Sequence, residues 1–256
     1  MYQYIEFIGI KIYLYGFMIS AGIIIANIMV YIIFKINKLK FEDFIILESY
    51  AFFGGLTGAK ILYIIVSFDL IEWNNIFKLS YFNQLMSGGF VFYGGLVGGG
   101  IFIFLAGKIH KIKVMFYLKQ SIFILPLIHG FGRIGCFMAG CCYGIPYDGI
   151  FAVTYPENSF AVSGISLFPI QLVEAIMLLL IFAVILFLQL KIKYEYTIES
   201  YLISYSIIRF ILENYRYDIH RGIFLGLSTS QWISIVIFLL AISILIKDRI
   251  FNLKLK

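Results

Sequence analysis

Charged residues are scarce in this chain, and their scarcity excludes an ordinary soluble protein. Asp, Glu, Lys and Arg make up 13% of the 256 residues, whereas 62% are hydrophobic, and the mean hydropathy is +0.96. Soluble domains carry about 25% charged residues. The composition therefore predicts an integral membrane protein.

Other features are scarce or missing as well. Four prolines against 23 glycines favour a helical bundle with close backbone contacts over a loop-rich fold. Apolar residues do not alternate as a membrane β-barrel requires. No soluble domain, linker or repeat interrupts the sequence, so we expect one multi-pass membrane domain over residues 1–256. No basic cluster alternates with aromatic residues, which argues against nucleic acid as a partner.

Seven apolar segments are long enough, or nearly so, to cross a hydrocarbon core that needs about 20 residues per helix. They cover residues 12–34, 44–68, 90–106, 114–139, 169–190, 197–215 and 227–246. The first lacks a basic leading region and a small-residue cleavage site, so we expect a retained helix rather than a removed signal peptide. The sequence predicts an all-α protein with about seven transmembrane helices.

Basic residues lie mainly on one side of these segments. They follow the first, third, fifth and seventh segments, at Lys35, Lys38, Lys40, Lys108, Lys111, Lys113, Lys191, Lys193, Lys247, Arg249, Lys254 and Lys256. The opposite loops hold only Lys78, Arg221 and, near a segment end, Arg216. The positive-inside rule then places the N-terminus outside and the C-terminus in the cytoplasm.

One arginine lies inside an apolar, glycine-rich stretch, residues 127–144, which reads LIHGFGRIGCFMAGCCYG. Placing an arginine at bilayer depth costs roughly 2.5–3.5 kcal/mol, so Arg133 should face a wet cavity, a buried partner or an anionic ligand. His129 lies one helical turn earlier on the same face. It is either a base near Arg133 or a buried histidine with satisfied hydrogen bonds.

The sixth segment carries a polar stripe. Tyr205, Arg209, Glu213 and Arg216 lie along one helix face, which should point into the bundle. One interpretation is an Arg209–Glu213 pair that only locks helices together. The other is a site for a lipid phosphate, because two arginines supply forked donors that suit phosphate oxygens.

Glycine clusters at 54–58 and 94–100 have the spacing that lets helices approach closely. Tyr93 stands at a helix start, where it could contact a ligand or act as an acid or base; the alternative is a tyrosine of the interfacial belt. Lys60, in the middle of the second segment, is expected to snorkel or to pair with a carboxylate such as Glu174 or Glu48.

The three cysteines, Cys136, Cys141 and Cys142, lie close together at the start of the longest loop. They lack a fourth ligand and paired C-x-x-C spacing, so we expect no metal. An outer location permits a disulfide between Cys136 and one of the other two; the alternative is that they are small packing residues. The loop, residues 142–168, is interpreted as an ordered outer arm.

Six short motifs follow one another along nearly the whole chain. They are YGFM at 15–18, FYGGL at 92–96, GRIG at 132–135, PIQLVE at 169–174, RFILENYR at 209–216 and GLSTSQ at 226–231. Each is weak alone, but their order and spacing resemble the bacterial prolipoprotein diacylglyceryl transferase family.

This resemblance implies an inner-membrane enzyme of lipoprotein biosynthesis that needs no cofactor. It would move a diacylglyceryl group from phosphatidylglycerol to the thiol of a lipobox cysteine in a prolipoprotein, forming a thioether and releasing glycerol phosphate. The implied catalytic residues are Arg133, Arg209, Tyr93 and His129. The implied substrate-binding residues are Tyr15, Gly94, Gly95, Gly132, Cys136, Gly144, Tyr205, Glu213 and Arg216.

The chain departs from the family pattern at three places. Tyr93 replaces the histidine of a His-Gly-Gly motif that would serve as base, and Phe168 replaces a histidine before proline. Two asparagines and a glutamate after the Gly-Arg motif are replaced by Cys136, Ala139 and Cys141. These departures keep two alternatives open: a phospholipid-dependent transferase with a different acceptor, and a non-catalytic lipid-binding or transport protein.

Overall fold

The computed structural model describes residues 3–7, 9–157, 159–217 and 222–254. Within these ranges the secondary structure is mainly helical. The α-helices are α1 Leu14–Asn37, α2 Phe41–Val66, α3 Leu79–Ser87, α4 Phe92–His110, α5 Val114–Ser121, α6 Ile124–Ala139, α7 Ile170–Phe187, α8 Thr197–Leu212 and α9 Thr229–Lys254.

Three short antiparallel strand pairs, which the sequence did not predict, accompany the helices; the first precedes α1 and the other two lie between helices. They are β1 Tyr4–Phe7 with β2 Ile10–Tyr13, β3 Val153–Thr154 with β4 Ser166–Leu167, and β5 Ile223–Phe224 with β6 Leu227–Ser228.

Five helices among the described residues are long and apolar enough to cross a membrane, and a sixth crossing results if α5 and α6 count as one. These two helices were expected to be one continuous helix over 114–139, but they meet at a bend of 52°. Pro126 explains the break, because its ring has no N–H to donate and clashes with the carbonyl four residues earlier. The chain is therefore an all-helical, multi-pass membrane protein.

The sixth expected crossing, 197–215, differs most from the structure. Helix α8 has 16 residues and continues as a 3₁₀ turn, Glu213–Tyr215. It is shorter than the roughly 20 residues of a full crossing. Arg221 and Lys256, which entered the charge argument, and Asn158 in the arm lie outside the described residues.

The chain divides into two compact units. Unit 1 comprises Met1–Ile32 with Leu118–Lys256, and unit 2 comprises Ile33–Tyr117. In unit 2, α2 and α4 pack through their glycines, as the sequence predicted. A Cβ atom on Gly58 would lie 2.3 Å from the Gly94 carbonyl oxygen, and one on Gly98 would lie 2.3 Å from that of Gly54. The two backbones are therefore in direct contact.

This contact predicts that alanine lowers stability at one glycine of these helices but not at another. Gly58→Ala should lower the free energy of unfolding by about 1–3 kcal/mol, because the helices must separate to admit the methyl group. Gly100→Ala is the matched control, since a Cβ atom there meets nothing within 4 Å. Thermal unfolding in detergent micelles measures both. Equal unfolding midpoints for Gly58→Ala and the wild type would contradict the packing described.

Lys60 was expected to snorkel or to pair with a carboxylate, and among the described residues its partners are carbonyl groups instead. Its Nζ donates hydrogen bonds to the carbonyl oxygens of Leu85 and Gly88, the latter at 2.5 Å, and lies 4.9 Å from the centre of the Tyr63 ring. The positive charge of the ammonium group is thus stabilised by the carbonyl dipoles at the end of α3 and by the electrons of the Tyr63 ring. Carbonyl groups left free by a helix end serve the same purpose as a carboxylate.

In unit 1, α6 is held close to two other helices. A Cβ atom on Gly130 would lie 3.2 Å from a methyl carbon of Leu179 in α7, and one on Gly135 would lie 3.1 Å from the Cα of Tyr15 in α1. Small residues at both positions let α6 approach closely, which brings its polar side chains to the neighbouring helices.

The arm, residues 142–168, is a folded segment with its own apolar cluster of Tyr143, Tyr155, Ala161 and Leu167. Strand β3 pairs with β4, and the stretch before it pairs with residues that precede α7. Burial raises the pKa of Tyr155 to about 12, so its phenol stays protonated at neutral pH.

Candidate active site

A buried carboxylate lies at the centre of unit 1. Glu174 on α7 has only 2% of its side chain exposed, and its Oε2 lies 3.0 Å from Arg133 Nε on α6 and 3.9 Å from Arg209 Nη1 on α8. An ionised group at this depth is stable only when it is paired. Glu174 therefore joins α6, α7 and α8 at one point.

Arg209 has a second set of partners. Its Nη2 lies 2.6 Å from Glu213 Oε2 and donates a hydrogen bond of 3.1 Å to Ser230 Oγ on α9. Arg216 Nη1 is 3.9 Å from the same Glu213 oxygen. The predicted Arg209–Glu213 pair is thus present, and both side chains are buried, as expected of a stripe that faces the bundle.

The cluster is rich in guanidinium groups. Three guanidinium groups, of Arg133, Arg209 and Arg216, face the two carboxylates of Glu174 and Glu213. Arg209 Nη1 is buried without a hydrogen-bond partner among the described residues. An oxyanion would accept a hydrogen bond from this unused donor, so the arrangement suits a phosphate or a similar group.

Two rings complete this cluster. His129 Nε2 lies 4.0 Å from Glu174 Oε1, and its ring packs edge-on against Tyr205 with 5.1 Å between the ring centres. The helical turn between His129 and Arg133 thus places both beside Glu174, as their spacing suggested. His129 has 31% of its side chain exposed, so its ring can be reached from outside the cluster.

The start of α9 fixes Ser230 in place. The Gln231 N–H donates to Ser228 Oγ at 3.2 Å, and the Ser228 N–H donates to Gln231 Oε1 at 3.0 Å, which is a reciprocal capping box. Gln231 Nε2 also donates to Asn214 Oδ1 at 3.2 Å. The GLSTSQ motif therefore caps a helix and ties it to the turn that carries Glu213.

The end of α6 brings the cysteines together. Gly140 adopts a left-handed conformation with φ of +76°, and the Cys141 N–H donates to the Cys136 carbonyl at 3.1 Å, so the chain reverses there. Gln171 Nε2 holds the turn through the Cys141 carbonyl at 2.8 Å. All three cysteines are free thiols in this structure, and their sulfur atoms lie within 4.8 Å of one another.

Comparison with known proteins decides the family. The family profile for prolipoprotein diacylglyceryl transferase matches residues 3–247. The chain belongs to the prolipoprotein diacylglyceryl transferase family.

Relatives within this family cover almost the whole chain. A phosphatidylglycerol–prolipoprotein diacylglyceryl transferase of Clostridium tetani is 35% identical over 95% of this chain and 96% of its own length. A second, from Clostridium perfringens and numbered 2, is 37% identical over 91% of this chain and 90% of its own length. One from Clostridioides difficile is 31% identical over 89% of this chain and 87% of its own length.

The structure gathers most of the residues that the resemblance to this family implied. Arg133, Arg209, His129, Tyr205, Glu213 and Arg216 form the cluster described above, and Cys136 follows Arg133 by one helical turn. Tyr15 lies against Gly135 with 45% of its surface exposed. Tyr93, Gly94 and Gly95 belong to unit 2, where Gly94 packs against Gly58.

Two of the implied glycines differ in the space around them. A Cβ atom on Gly144 would lie 2.4 Å from the Phe168 carbonyl oxygen and 3.0 Å from that of Tyr215, so close backbone packing requires glycine there. The chain at Gly144 also pairs with Arg216, which ties the arm to the turn after α8. Around Gly132 there is room, since the nearest atom is 3.7 Å away.

The sequence reasoning missed two residues of the cluster. Glu174 was named as the last residue of the PIQLVE motif and as a partner for Lys60 but was given no role in the site, although a lone acid in an apolar segment signals a buried pair. Ser230 carried no signal of its own, because only the tertiary structure shows that its hydroxyl reaches Arg209.

Proposed function

We propose that the chain transfers a diacylglyceryl group from phosphatidylglycerol to the thiol of a lipobox cysteine in prolipoproteins. The product is a thioether, and glycerol phosphate is released. The observation that carries the proposal is the buried arginine pair, Arg133 and Arg209, which Glu174 joins and in which Arg209 Nη1 keeps an unused donor among the described residues. It occurs in a member of a family whose relatives are named for this activity.

The charge balance of the reaction explains why arginines are needed. Phosphatidylglycerol carries one negative charge on its phosphodiester, and the departing glycerol phosphate gains a second as the carbon–oxygen bond breaks. Guanidinium groups aimed at those oxygens therefore stabilise the transition state more than the bound lipid. Arg133 and Arg209 are assigned this role, with Glu213 and Arg216 supporting Arg209.

The acceptor thiol must lose its proton, because the thiolate is the nucleophile. His129 is the base candidate within the cluster, and its partly exposed ring allows a proton to leave. Tyr93 is the second candidate, at the position of the family histidine. Tyr15 and Tyr205, with Gly132, Gly144, Gly94 and Gly95, are assigned to substrate binding.

An apolar groove between α8 and α9 supports a lipid substrate. It has a volume of about 250 Å³, and its lining includes Ile207, Phe210, Ile211 and Leu239. Phe210 follows Arg209 directly in α8, so one helix presents both an apolar surface and a phosphate-binding charge. This arrangement suits an acyl chain beside its headgroup.

We assign the chain to the bacterial inner membrane as a single multi-pass domain of seven crossings, with α8 as the short one. The distribution of lysine places the N-terminus outside and the C-terminus in the cytoplasm. The cluster and the arm over 142–168 then lie toward the outer surface, where an exported prolipoprotein arrives.

The test is transfer of labelled diacylglycerol from phosphatidylglycerol to a lipobox peptide by the purified chain. We expect the wild type to label the cysteine peptide but not its serine analogue. Arg133→Ala should lower the rate about 10²–10³-fold, the typical effect of removing one charge-stabilising donor. Accumulation in the membrane and thermal unfolding check that the variant is folded. A folded wild type that transfers nothing from phosphatidylglycerol would refute the proposal.

A further inference from the structure

We propose that Cys136, Cys141 and Cys142 bind one zinc ion, whose open fourth position takes the thiol of the acceptor cysteine. This inference rests on the proposed function and adds how its nucleophile is activated. The three sulfur atoms already lie within 4.8 Å of one another. Zinc–sulfur bonds of about 2.3 Å in a tetrahedron put sulfur atoms about 3.8 Å apart, so small side-chain rotations complete the site.

The backbone holds these ligands in place. The reversal at Gly140 returns Cys141 to the end of α6, and Cys142 also has a positive φ, of 56°. A non-glycine residue rarely adopts this conformation without support from its surroundings. The hydrogen bond from Gln171 to the Cys141 carbonyl provides part of that support. The turn thus directs three thiols to one point, which is what a preorganised metal site requires.

Three ligands rather than four indicate the kind of site. The sequence argued against zinc because a structural site needs a fourth protein ligand, but a reactive zinc site has three protein ligands and one open position. Cys136 is buried, whereas Cys141 and Cys142 are partly exposed, so the cluster has an accessible side. Thiolate ligands select zinc and similar soft ions over magnesium or calcium.

The surrounding charge fits this assignment. Zinc with three thiolates carries one negative charge, and an added substrate thiolate makes it two. Positive charge that would offset it is present in Arg133 on α6 and in Arg216, whose main chain pairs with Gly144, two residues after Cys142. Arg133 also precedes Cys136 by one turn of α6. The metal-bound nucleophile would therefore form beside the arginine that binds the phosphate.

The chemistry balances without an added oxidant or reductant. Coordination to zinc deprotonates the acceptor thiol, and the proton passes to water. A sulfur lone pair then attacks the glycerol carbon that carries the phosphate. The carbon–sulfur bond forms, the carbon–oxygen bond breaks, and its electron pair leaves with glycerol phosphate. The neutral thioether binds zinc more weakly than a thiolate and is released. Zinc thus supplies the activation that a general base would otherwise give the acceptor thiol.

The first experiment measures bound metal in the full-length protein, purified in detergent with zinc supplied and the excess removed. We expect one zinc ion per chain by elemental analysis. Cys136→Ser, Cys141→Ser and Cys142→Ser should each bind little or none, because a lost thiolate ligand weakens the site strongly. Tyr147→Phe is the control, since it lies in the arm, is exposed and is no ligand.

The second experiment needs no variant and so does not depend on variant folding. The wild type is loaded with Co²⁺, whose thiolate complexes absorb visible and near-ultraviolet light. Adding a lipobox peptide should strengthen the sulfur-to-cobalt band, because a fourth thiolate binds. The serine analogue of the peptide should leave the spectrum unchanged.

The outcomes separate this inference from the proposed function. A wild type that transfers diacylglycerol yet binds neither zinc nor cobalt overturns the zinc site and leaves the function standing. Bound metal that responds to the cysteine peptide, without any transfer, supports the site and refutes the function. If metal binds but its absorption spectrum does not change when the cysteine peptide is added, the open position does not take the acceptor thiol.

Discussion

Arg209→Lys should lower the rate of diacylglyceryl transfer about 10²–10³-fold while the protein still folds. Lysine keeps the positive charge, so Glu174 and Glu213 remain neutralised. It cannot, however, hold Glu213, donate to Ser230 and present a further donor to phosphate at once, as the guanidinium group does. The measurement is the initial rate against phosphatidylglycerol concentration, which separates kcat from KM.

The expected loss lies mainly in kcat, because the arginine acts on charge that develops in the transition state. Lys78→Ala is the control for a general effect of positive charge, since Lys78 is an exposed cation of unit 2; its rate should equal that of the wild type. An unchanged kcat in Arg209→Lys would show that the forked geometry is not used in the reaction.

Glu174→Ala should destabilise the protein by about 3–5 kcal/mol, because it removes the shared partner of two buried arginines. Arg133 would lose the carboxylate that lies 3.0 Å from its Nε, and Arg209 would lose one of its two carboxylate partners. We expect a lower unfolding midpoint in detergent and less protein in the membrane. Thermal unfolding followed by intrinsic fluorescence measures the first effect.

Two variants sharpen this prediction. Glu174→Gln keeps the shape and an oxygen acceptor but not the charge, so its midpoint should fall between those of the wild type and Glu174→Ala. Ile176 lies on the same helix with 59% of its surface exposed, so Ile176→Ala should change the unfolding midpoint little. Glu174→Ala with the midpoint of the wild type would mean that the carboxylate does not hold α6, α7 and α8 together.

Much of the helical framework could be read from apolar segment length. The first segment was expected at 12–34 and is α1, Leu14–Asn37; the second was expected at 44–68 and is α2, Phe41–Val66. These agree because a long apolar run has few ways to satisfy its backbone other than a helix. Pro126 is a local signal for the helix break that precedes it, but the prediction did not use this signal. The end of α8 at Leu212 did not follow from composition.

Helix periodicity located part of the site. The spacing of His129 and Arg133, and of Arg209 and Glu213, placed each pair on one face, and the structure has each pair in one cluster. Local spacing fixes such pairs because a helical turn is a fixed distance. Glu174 could not be matched to Arg133 in this way, since the two are 41 positions apart along the chain.

By itself, the sequence determined that this is a helical membrane protein with buried arginines, since the scarcity of charge and the length of apolar runs act locally and need no partner. The tertiary structure alone decided which charges meet. It placed Glu174 between Arg133 and Arg209, gave Lys60 carbonyl partners, and folded the turn after α6 so that three thiols converge. These contacts depend on how helices pack and where the chain reverses, and many packings are compatible with one pattern of apolar residues.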